Sequence, residues 1–260
     1  MPLVTVRGHR LEVERIAAGT PGRPVLVFLH EGLGSVAMWR DFPSRVAHAA
    51  GCDAVVYSRY GYGRSDPLAA PHGVRYMHDE ALLALPELLR ALGVERPLLV
   101  GHSDGGSIAL IHAGAGHPVA GLVLLAPHVM VEDVALASIA AAKVAYETGD
   151  LRARLSRHHA DVDSAFRGWN DIWLHPDFRA WNIEAYLPRV ACPVLAIQGE
   201  DDEYGTMEQV RRIERQARDV DVLALADCRH SAHRDQPEAV IEAIRRFVDR
   251  VTAPPPAARR

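Results

Sequence analysis

The sequence contains little cysteine, and its cysteines are not arranged as a cross-link or a metal site would require. The three are scattered at Cys52, Cys192 and Cys228, and none belongs to a C-x-x-C pair. A disulfide framework needs an even, closely spaced set, and a zinc site needs paired ligands. We therefore predict three buried thiols, with neither a disulfide nor a metal.

Long hydrophobic runs are also missing. No stretch approaches the roughly 18 apolar residues that a membrane span requires. Residues 1–8 do not lead from a basic region into a long apolar one, as a secretory signal would. We expect a cytoplasmic protein that does not contact the membrane.

An excess of positive charge is the third missing feature. The chain has 29 Lys and Arg against 33 Asp and Glu, a formal net charge of -4 at pH 7, and no basic block. Nucleic acids and anionic membranes are bound through basic surfaces, so we expect neither as a partner. With 260 residues, of which 48% are hydrophobic, the chain can bury the core of an enzyme-sized domain. We expect a small-molecule partner.

The most informative stretch lies near the middle of the chain. The apolar residues 98–100 are a predicted buried strand that runs into Gly101, and a helix-like apolar segment follows Gly105. Between them stands Gly101-x-Ser103-x-Gly105, the pattern that holds a serine on a tight strand-to-helix turn. Glycine is needed on both sides because a side chain there would collide with the neighbouring backbone. The pattern predicts a nucleophilic Ser103 beside the positive end of a helix.

Buried strands and helices alternate along most of the chain. An N-terminal hairpin is followed by continuous apolar runs such as 25–29 and 54–57. Residues 78–92 have the pattern of an amphipathic helix that Gly93 ends and that Pro86 should kink or break. Such alternation predicts an α/β fold with a mostly parallel sheet covered on both faces.

One region interrupts this alternation. Residues 128–188 show helical patterns only, so we predict a helical lid inserted after the sixth strand, over the carboxyl edge of the sheet. The core would then comprise residues 1–127 and 189–252. Residues 253–260 are rich in proline and are predicted to form a disordered tail.

A serine hydroxyl becomes nucleophilic only with a base in hydrogen-bond reach and an acid that orients this base. Among fourteen histidines, His230 follows the last predicted strand, where a loop at the carboxyl edge can reach Ser103, and His233 is the nearby rival. Asp201 and Asp202 follow the preceding strand, at the same edge. The chain order Ser, Asp, His is that of hydrolases with this serine turn.

Together these segments resemble the α/β-hydrolase superfamily over nearly the whole chain. The matching segments are His30-x-Gly32, Ser58-Arg59-Tyr60-Gly61-Tyr62-Gly63-Arg64-Ser65, Gly101-His102-Ser103-Asp104-Gly105-Gly106, Gly199-Glu200-Asp201-Asp202, and His230 with Gln236-Pro237-Glu238. In more detail, the chain is similar to small bacterial esterases, enol-lactonases and C–C bond hydrolases of ring-cleavage products. The resemblance implies the α/β-hydrolase fold and favours Asp202 over Asp201, because relatives usually carry the acid three residues after the glycine.

The resemblance also implies an oxyanion hole made of two backbone N–H groups. One belongs to Asp104, and the other comes from the loop after the third strand, where relatives usually have His-Gly-x. This chain has His30-Glu31-Gly32-Leu33, as if Glu31 were inserted, so either Gly32 or Leu33 supplies the second donor. An ionised Glu31 would oppose the developing negative charge, so we expect it to stabilise the turn and point away from the pocket.

The predicted function is that of a carboxylic ester hydrolase that cleaves a small ester, lactone or thioester through an acyl-enzyme on Ser103. His230 would accept and return the proton, and Asp202 would orient His230. No metal or organic cofactor is required, and we expect a monomer or homodimer. The candidate substrate-pocket residues are Glu31, His128, Trp169, Trp173 and Trp181. The alternative within this chemistry is hydrolysis of a C–C bond in a ring-cleavage product. Because both reactions use the same serine turn and triad, only the lid would discriminate between them.

Two other function classes compete with this interpretation. The segment Gly32-Leu33-Gly34-Ser35-Val36-Ala37 fits the G-x-G-x-x-A dinucleotide pattern, with Arg59 as a contact for a 2′-phosphate, as in an NADP-dependent oxidoreductase. Two observations disfavour the oxidoreductase interpretation: the next strand has no acidic residue at its end, and the serine turn would have no role. The second rival is a binding module with the same fold and an idle triad, in which Ser103 would not react with a fluorophosphonate.

Overall fold

Eight strands form one sheet in a computed structural model of the protein, which describes residues 2–253. The strands are β1 (Leu3–Val6), β2 (His9–Ile16), β3 (Leu26–Leu29), β4 (Ala54–Tyr57), β5 (Leu98–His102), β6 (Gly121–Leu125), β7 (Val194–Gly199) and β8 (Val220–Leu225). Their spatial order is β1-β2-β4-β3-β5-β6-β7-β8. β2 pairs antiparallel with β1 and β4, and all other neighbours run parallel. Apart from residue 253, the tail predicted at 253–260 lies outside the described residues.

Helices cover both faces of this sheet. They are α1 (Phe42–Ala50), α2 (Tyr76–Asp79), α3 (Leu85–Leu92), α4 (Asp104–Gly114), α5 (Asp133–Thr148), α6 (Leu151–Leu155), α7 (Val162–Trp173), α8 (Glu208–Gln216), α9 (Ala232–Asp235) and α10 (Pro237–Thr252). Because successive side chains of a strand point to opposite faces, Val27 and Leu29 of β3 join one core layer, and Leu26 and Phe28 join the other. The predicted doubly covered α/β fold is confirmed.

The helix predicted at 78–92 is interrupted, as Pro86 suggested. α2 passes into a wide turn at Glu80–Ala84, where the N–H of Leu85 bonds the carbonyl of Glu80 five residues back. Proline has no N–H, and its ring clashes with the carbonyl four residues before it, so a regular helix does not pass through this point. α3 then ends at Gly93, which has a φ of 70°.

Residues 128–188 connect β6 to β7 and form what we call the inserted segment. It contains α5, α6, α7 and a short 3-10 turn at Pro176–Ala180, and a second such turn at Glu184–Arg189 spans its C-terminal end. Its two ends lie together, because Met130 and Asn182 form an isolated antiparallel bridge. The buried aromatic side chains of α7 are Phe166, Trp169 and Trp173, which lie on one face of this helix. Trp169 and Trp173 are directed toward the carboxyl edge of the sheet.

All three cysteines are free: Cys52 and Cys228 are buried, and Cys192 is half-buried. Burial raises the pKa of each thiol to about 11, so the thiols are protonated and unreactive at neutral pH. From residue 2 to residue 253, no helix is both long enough and apolar enough to cross a bilayer.

Candidate active site

Ser103 lies on the turn between β5 and α4 in a strained backbone conformation. Its φ of 53° and ψ of -117° are rare for a residue with a side chain. The surrounding backbone holds this conformation, because the N–H of Ser103 donates to the carbonyl of Leu125 at 2.9 Å and its carbonyl accepts from Gly106 N–H at 2.9 Å. The turn places the serine at the N-terminus of α4, where positive partial charge favours an anion.

The two glycines of the motif are required by close backbone contacts. A Cβ at Gly101 would overlap the backbone of Gly105, and a Cβ at Gly105 would overlap the carbonyl of Leu29 in β3. Neither obstacle is the end of a flexible side chain, so neither can move aside cheaply. The glycines let β3, β5 and α4 approach closely enough to expose Ser103 at the edge of the sheet.

We expect Gly105→Ala to destabilise the protein by about 3 kcal/mol, because β3 or α4 must shift to accept the new methyl group. Urea unfolding followed by circular dichroism would measure this loss. Gly73→Ala is the matched control, since a Cβ at Gly73 meets nothing within 4 Å, and it should change stability by less than about 0.5 kcal/mol. An equal, small effect of both substitutions would contradict the packing argument.

Ser103 opens into a cavity of about 160 Å³ between the sheet edge and the inserted segment. The cavity collects side chains from distant parts of the chain, including most of the predicted site residues. The lining residues are Glu31, Gly32, Leu33, His102, Ser103, His128, Ile139, Trp169, Trp173, Tyr204, His230 and Ser231. The fold therefore brings the predicted nucleophile, the predicted base and two of the predicted oxyanion-hole residues, Gly32 and Leu33, to one cavity.

His230 and Asp202 are hydrogen-bonded partners at this cavity. Nδ1 of His230 lies 2.9 Å from both carboxylate oxygens of Asp202. The Asp202 side chain is 1% exposed and that of His230 is 11% exposed. With Nδ1 donating to the carboxylate, Nε2 of the neutral ring is left as an acceptor for a proton.

Asp202 is held as a buried, ionised carboxylate. It accepts hydrogen bonds from the N–H of Tyr204 at 2.7 Å and of Gly205 at 3.1 Å, and from Nε2 of Gln198 at 2.7 Å. Burial alone would raise the pKa of Asp202, but the hydrogen bonds of His230 and Tyr204 outweigh it and the pKa is lowered. These contacts hold the carboxylate in the orientation in which it is hydrogen-bonded to His230.

The two rival residues lie elsewhere. Asp201 is exposed, and its backbone N–H donates to the carbonyl of Cys228 at 3.0 Å. His233 is 4% exposed and packs against the rings of Trp39 and Phe42, with ring centroids 5.0 and 5.3 Å away. Burial lowers the pKa of His233 well below its usual value, so this ring is a neutral core residue. Among the candidate acids and histidines, Asp202 and His230 are therefore the two that are hydrogen-bonded to each other.

The turn after β3 is held through the carbonyl of Glu31. This oxygen accepts from Arg59 Nη2 at 2.9 Å, from His30 Nδ1 at 2.6 Å and from the N–H of Gly34 at 3.0 Å. In a trans peptide the carbonyl and the following N–H point in opposite directions. The N–H of Gly32 is therefore directed away from Arg59 and His30.

The side chain of Asp104, which follows Ser103, lies in a buried polar network. Its carboxylate accepts from Tyr76 Oη at 2.7 Å and lies 3.5 Å from Arg59, and Nε1 of Trp173 donates to Tyr76 Oη at 2.9 Å. Burial raises the pKa of Asp104, and the charge of Arg59 partly offsets this. Arg59 is thus an interior residue paired with Asp104 under the serine turn, where the competing NADP interpretation would need it to contact a 2′-phosphate.

Aromatic side chains form the wall opposite the sheet. The indole of Trp169 lies against Gly32, and Trp173 packs edge-on to His128 with ring centroids 5.2 Å apart. Burial and the nearby His230 lower the pKa of His128 to about 3, so its ring is neutral. Trp181, the third tryptophan proposed for the pocket, stacks on Phe178 at 5.5 Å and is not among the side chains that line this cavity.

The sequence did not single out Tyr204 or Ile139 as site residues. The ring of Tyr204 lies 4.8 Å from that of His230, and Ile139 contributes to the wall from α5. Neither residue belongs to a motif, and from its sequence pattern Ile139, on the alanine-rich helix α5, cannot be distinguished from an ordinary core residue. The cavity can only be assembled once the inserted segment has been placed over the sheet.

The glycine-rich turn leaves no space for a dinucleotide. A Cβ at Gly32 would overlap the indole of Trp169, and one at Gly34 would overlap the carboxylate of Glu31. The close approach that a pyrophosphate needs at these glycines is taken by the protein's own side chains. Within residues 2–253 there is also no group of three or more His, Cys, Asp or Glu side chains arranged to hold a metal ion.

The sequence matches the Alpha/beta hydrolase family over residues 26–243. A curated relative, mouse "Epoxide hydrolase 4", is 30% identical over 117 residues, which are 42% of this chain and 30% of the relative's length. Proline iminopeptidase of Mycobacterium smegmatis superposes with a TM-score of 0.77 at 20% identity, over 96% of this chain and 98% of that one. The enol-lactonase of Burkholderia xenovorans LB400 has a TM-score of 0.73 at 17% identity, over 95% and 99%. The chain thus belongs to the alpha/beta hydrolase family.

Proposed function

We propose that the protein is a serine hydrolase that cleaves a small carboxylic ester, lactone or thioester. The observation that carries this proposal is the cavity that Ser103 and His230 both line, where His230 is hydrogen-bonded to Asp202. A hydroxyl on a strained turn, an imidazole with Nε2 free and a buried carboxylate are the groups that acyl transfer requires.

In this mechanism the oxygen of Ser103 attacks the substrate carbonyl while Nε2 of His230 accepts the serine proton. Asp202 stabilises the imidazolium that forms. The oxyanion is held by the N–H of Asp104, at the start of α4, and by that of Gly32, which the turn directs away from Arg59. His230 then protonates the leaving group, and water, activated by the same imidazole, hydrolyses the acyl-enzyme.

Serine chemistry also separates this proposal from epoxide opening. Attack of a hydroxyl on an epoxide carbon would form an ether, which has no carbonyl carbon for water to attack, so the enzyme would not turn over. Attack on an ester forms a new ester, which the same machinery hydrolyses. Ser103 therefore supports carbonyl substrates, although the mouse relative is named an epoxide hydrolase.

The cavity predicts a preference for short acyl groups. Its 160 Å³ is about the room that one six-membered ring occupies. We expect kcat/KM for p-nitrophenyl acetate to exceed that for p-nitrophenyl octanoate at least ~10-fold, because the longer chain must displace packed side chains. Steady-state kinetics over the series from acetate to octanoate would measure this.

Variants can tie this preference to the cavity. Ile139→Ala removes part of the wall and should raise the relative rate on octanoate. Ile172→Ala is the matched control, because Ile172 is a buried isoleucine of α7 that does not line the cavity. A wild-type enzyme that favours octanoate, or a control that shifts the preference equally, would contradict the cavity argument.

The competing functions are tested in the same preparation. An activated Ser103 is labelled by a fluorophosphonate, whereas an idle binding module is not. A panel of aryl esters, enol-lactones, acyl-CoA thioesters and ring-cleavage dienoates compares ester with C–C bond hydrolysis. Absence of both labelling and ester hydrolysis would refute the proposal.

A further inference from the structure

Two side chains beside Ser103 have no part in the scheme above. Glu31 lines the cavity with its side chain 18% exposed, and His102, the residue before Ser103, is 1% exposed. Nδ1 of His102 lies 3.5 Å from a carboxylate oxygen of Glu31. Building on the proposed function, we infer that Glu31 and His102 form a second acid–imidazole pair that positions the loop carrying His230.

The contact between His102 and this loop is direct. Nε2 of His102 lies 3.0 Å from the backbone carbonyl of His230, and the two rings have centroids 5.0 Å apart. A carbonyl oxygen only accepts, so Nε2 carries the proton and donates it. Nδ1, on the other side of the ring, faces the Glu31 carboxylate at 3.5 Å, so the two ring nitrogens of His102 link this carboxylate to the loop that carries His230.

Glu31 is itself held in place and neutralised. Its other carboxylate oxygen lies 3.7 Å from Nη2 of Arg234 on α9. Although burial acts to raise the pKa of Glu31, the nearby His102 and Arg234 hold it well below its usual value. An ionised carboxylate near the oxyanion hole would slow acyl transfer if it were unpaired, and the guanidinium of Arg234 offsets this penalty.

The pair of Glu31 and His102 connects three segments whose relative positions must be maintained for catalysis. Glu31 belongs to the turn after β3, His102 ends β5 beside the nucleophile, and His230 lies on the loop after β8. Asp202 orients the ring of His230, whereas His102 holds its backbone. A displacement of the base by about 1 Å costs on the order of 10²-fold in rate, so both constraints matter. Glu31 and His102 are positioning residues because they act through His230.

Substitutions at His102 test the geometry. His102→Gln keeps an amide N–H near the position of Nε2, whereas His102→Asn keeps one only near Nδ1. We expect His102→Asn to lower kcat on p-nitrophenyl acetate about 10- to 100-fold with KM changed less than about threefold. His102→Gln should restore kcat to within about fivefold of the wild type. Glu31→Ala should lower kcat about 10-fold, and combining it with His102→Asn should add little, because the two residues act as a unit.

Two controls separate positioning from general loss of packing. Glu80 accepts a hydrogen bond from Tyr57 Oη at 2.8 Å, and Nδ1 of His112 bonds the carbonyl of Ala81 at 2.8 Å, both away from the cavity. Glu80→Gln and His112→Gln should therefore leave kcat within about twofold. An equal loss of kcat in His102→Asn and His102→Gln would overturn the inference. So would an effect confined to a higher KM or a lower melting temperature, with kcat unchanged.

Fluorophosphonate labelling distinguishes this failure from failure of the proposed function. If the wild type is labelled at Ser103 and His102→Asn reacts at the same rate, only the positioning inference is wrong. If the wild type neither reacts nor hydrolyses esters, the proposed function fails and the inference fails with it. A labelling rate that falls in parallel with kcat supports both.

Discussion

Replacement of Ser103 by alanine is expected to lower kcat on p-nitrophenyl acetate at least ~10³-fold. The variant keeps the cavity, the imidazole and the peptide N–H groups, but it has no oxygen with which to form an acyl-enzyme. The residual rate should come from water positioned in the cavity, and KM should change little. Steady-state kinetics on freshly purified enzyme, with the melting temperature of each variant, would measure the effect.

Ser35→Ala is the matched control for this experiment. Ser35 is fully buried on the turn after β3, and its hydroxyl has no hydrogen-bond partner in the part of the chain that the structure describes. Its replacement should leave kcat within about twofold. Turnover retained by Ser103→Ala would remove the serine from the chemistry, and an equal loss in both variants would point to damage of the turn.

The architecture could be predicted because it follows from local patterns. Apolar runs without alternation are typical of strands buried on both faces, and the strand predicted at 54–57 matches β4. Gly93 and Pro86 mark a helix end and a helix interruption through backbone geometry that does not depend on distant contacts. α1 was not foreseen, because its short amphipathic pattern, with Pro43 near its start, resembles a loop.

The candidate site is only partly accessible from sequence. Motif spacing and chain order suffice to name Ser103 and His230 and to narrow the acid to Asp201 or Asp202, since each follows a strand that ends at one sheet edge. The resemblance to α/β hydrolases then favours Asp202. The wall of the cavity depends on how the inserted segment lies over that edge, so the sequence could neither name Tyr204 nor tell which tryptophans line the cavity.

Glu31 shows why a departure from a motif is hard to interpret from sequence. In the sequence it is an extra carboxylate beside an expected oxyanion hole, which argues that it points away. The structure instead surrounds it with His102 and Arg234, which come from segments about 70 and 200 residues later. Its charge is compensated by long-range contacts, and local patterns carry no information about such contacts.

Asp202→Asn is expected to lower kcat by about 10³- to 10⁴-fold at neutral pH while preserving the shape of the site. The asparagine amide can donate to Nδ1 of His230 and thereby place the ring proton on Nε2, so that the imidazole no longer accepts the serine proton. The oxygen of the new side chain can still accept from the N–H groups of Tyr204 and Gly205. The loss should therefore appear in kcat and in the rate of fluorophosphonate labelling.

The neighbouring carboxylate provides a strict control. Asp201→Asn makes the same chemical change one residue away on an exposed side chain, and it should leave kcat within about twofold. Some destabilisation of Asp202→Asn is expected, because the new amide group can meet Nε2 of Gln198, which is also a donor. Melting temperatures separate this cost from the catalytic loss: at a temperature where both variants are folded, only Asp202→Asn should be inactive. Comparable activity in the two variants would show that His230 does not depend on Asp202 for its tautomer.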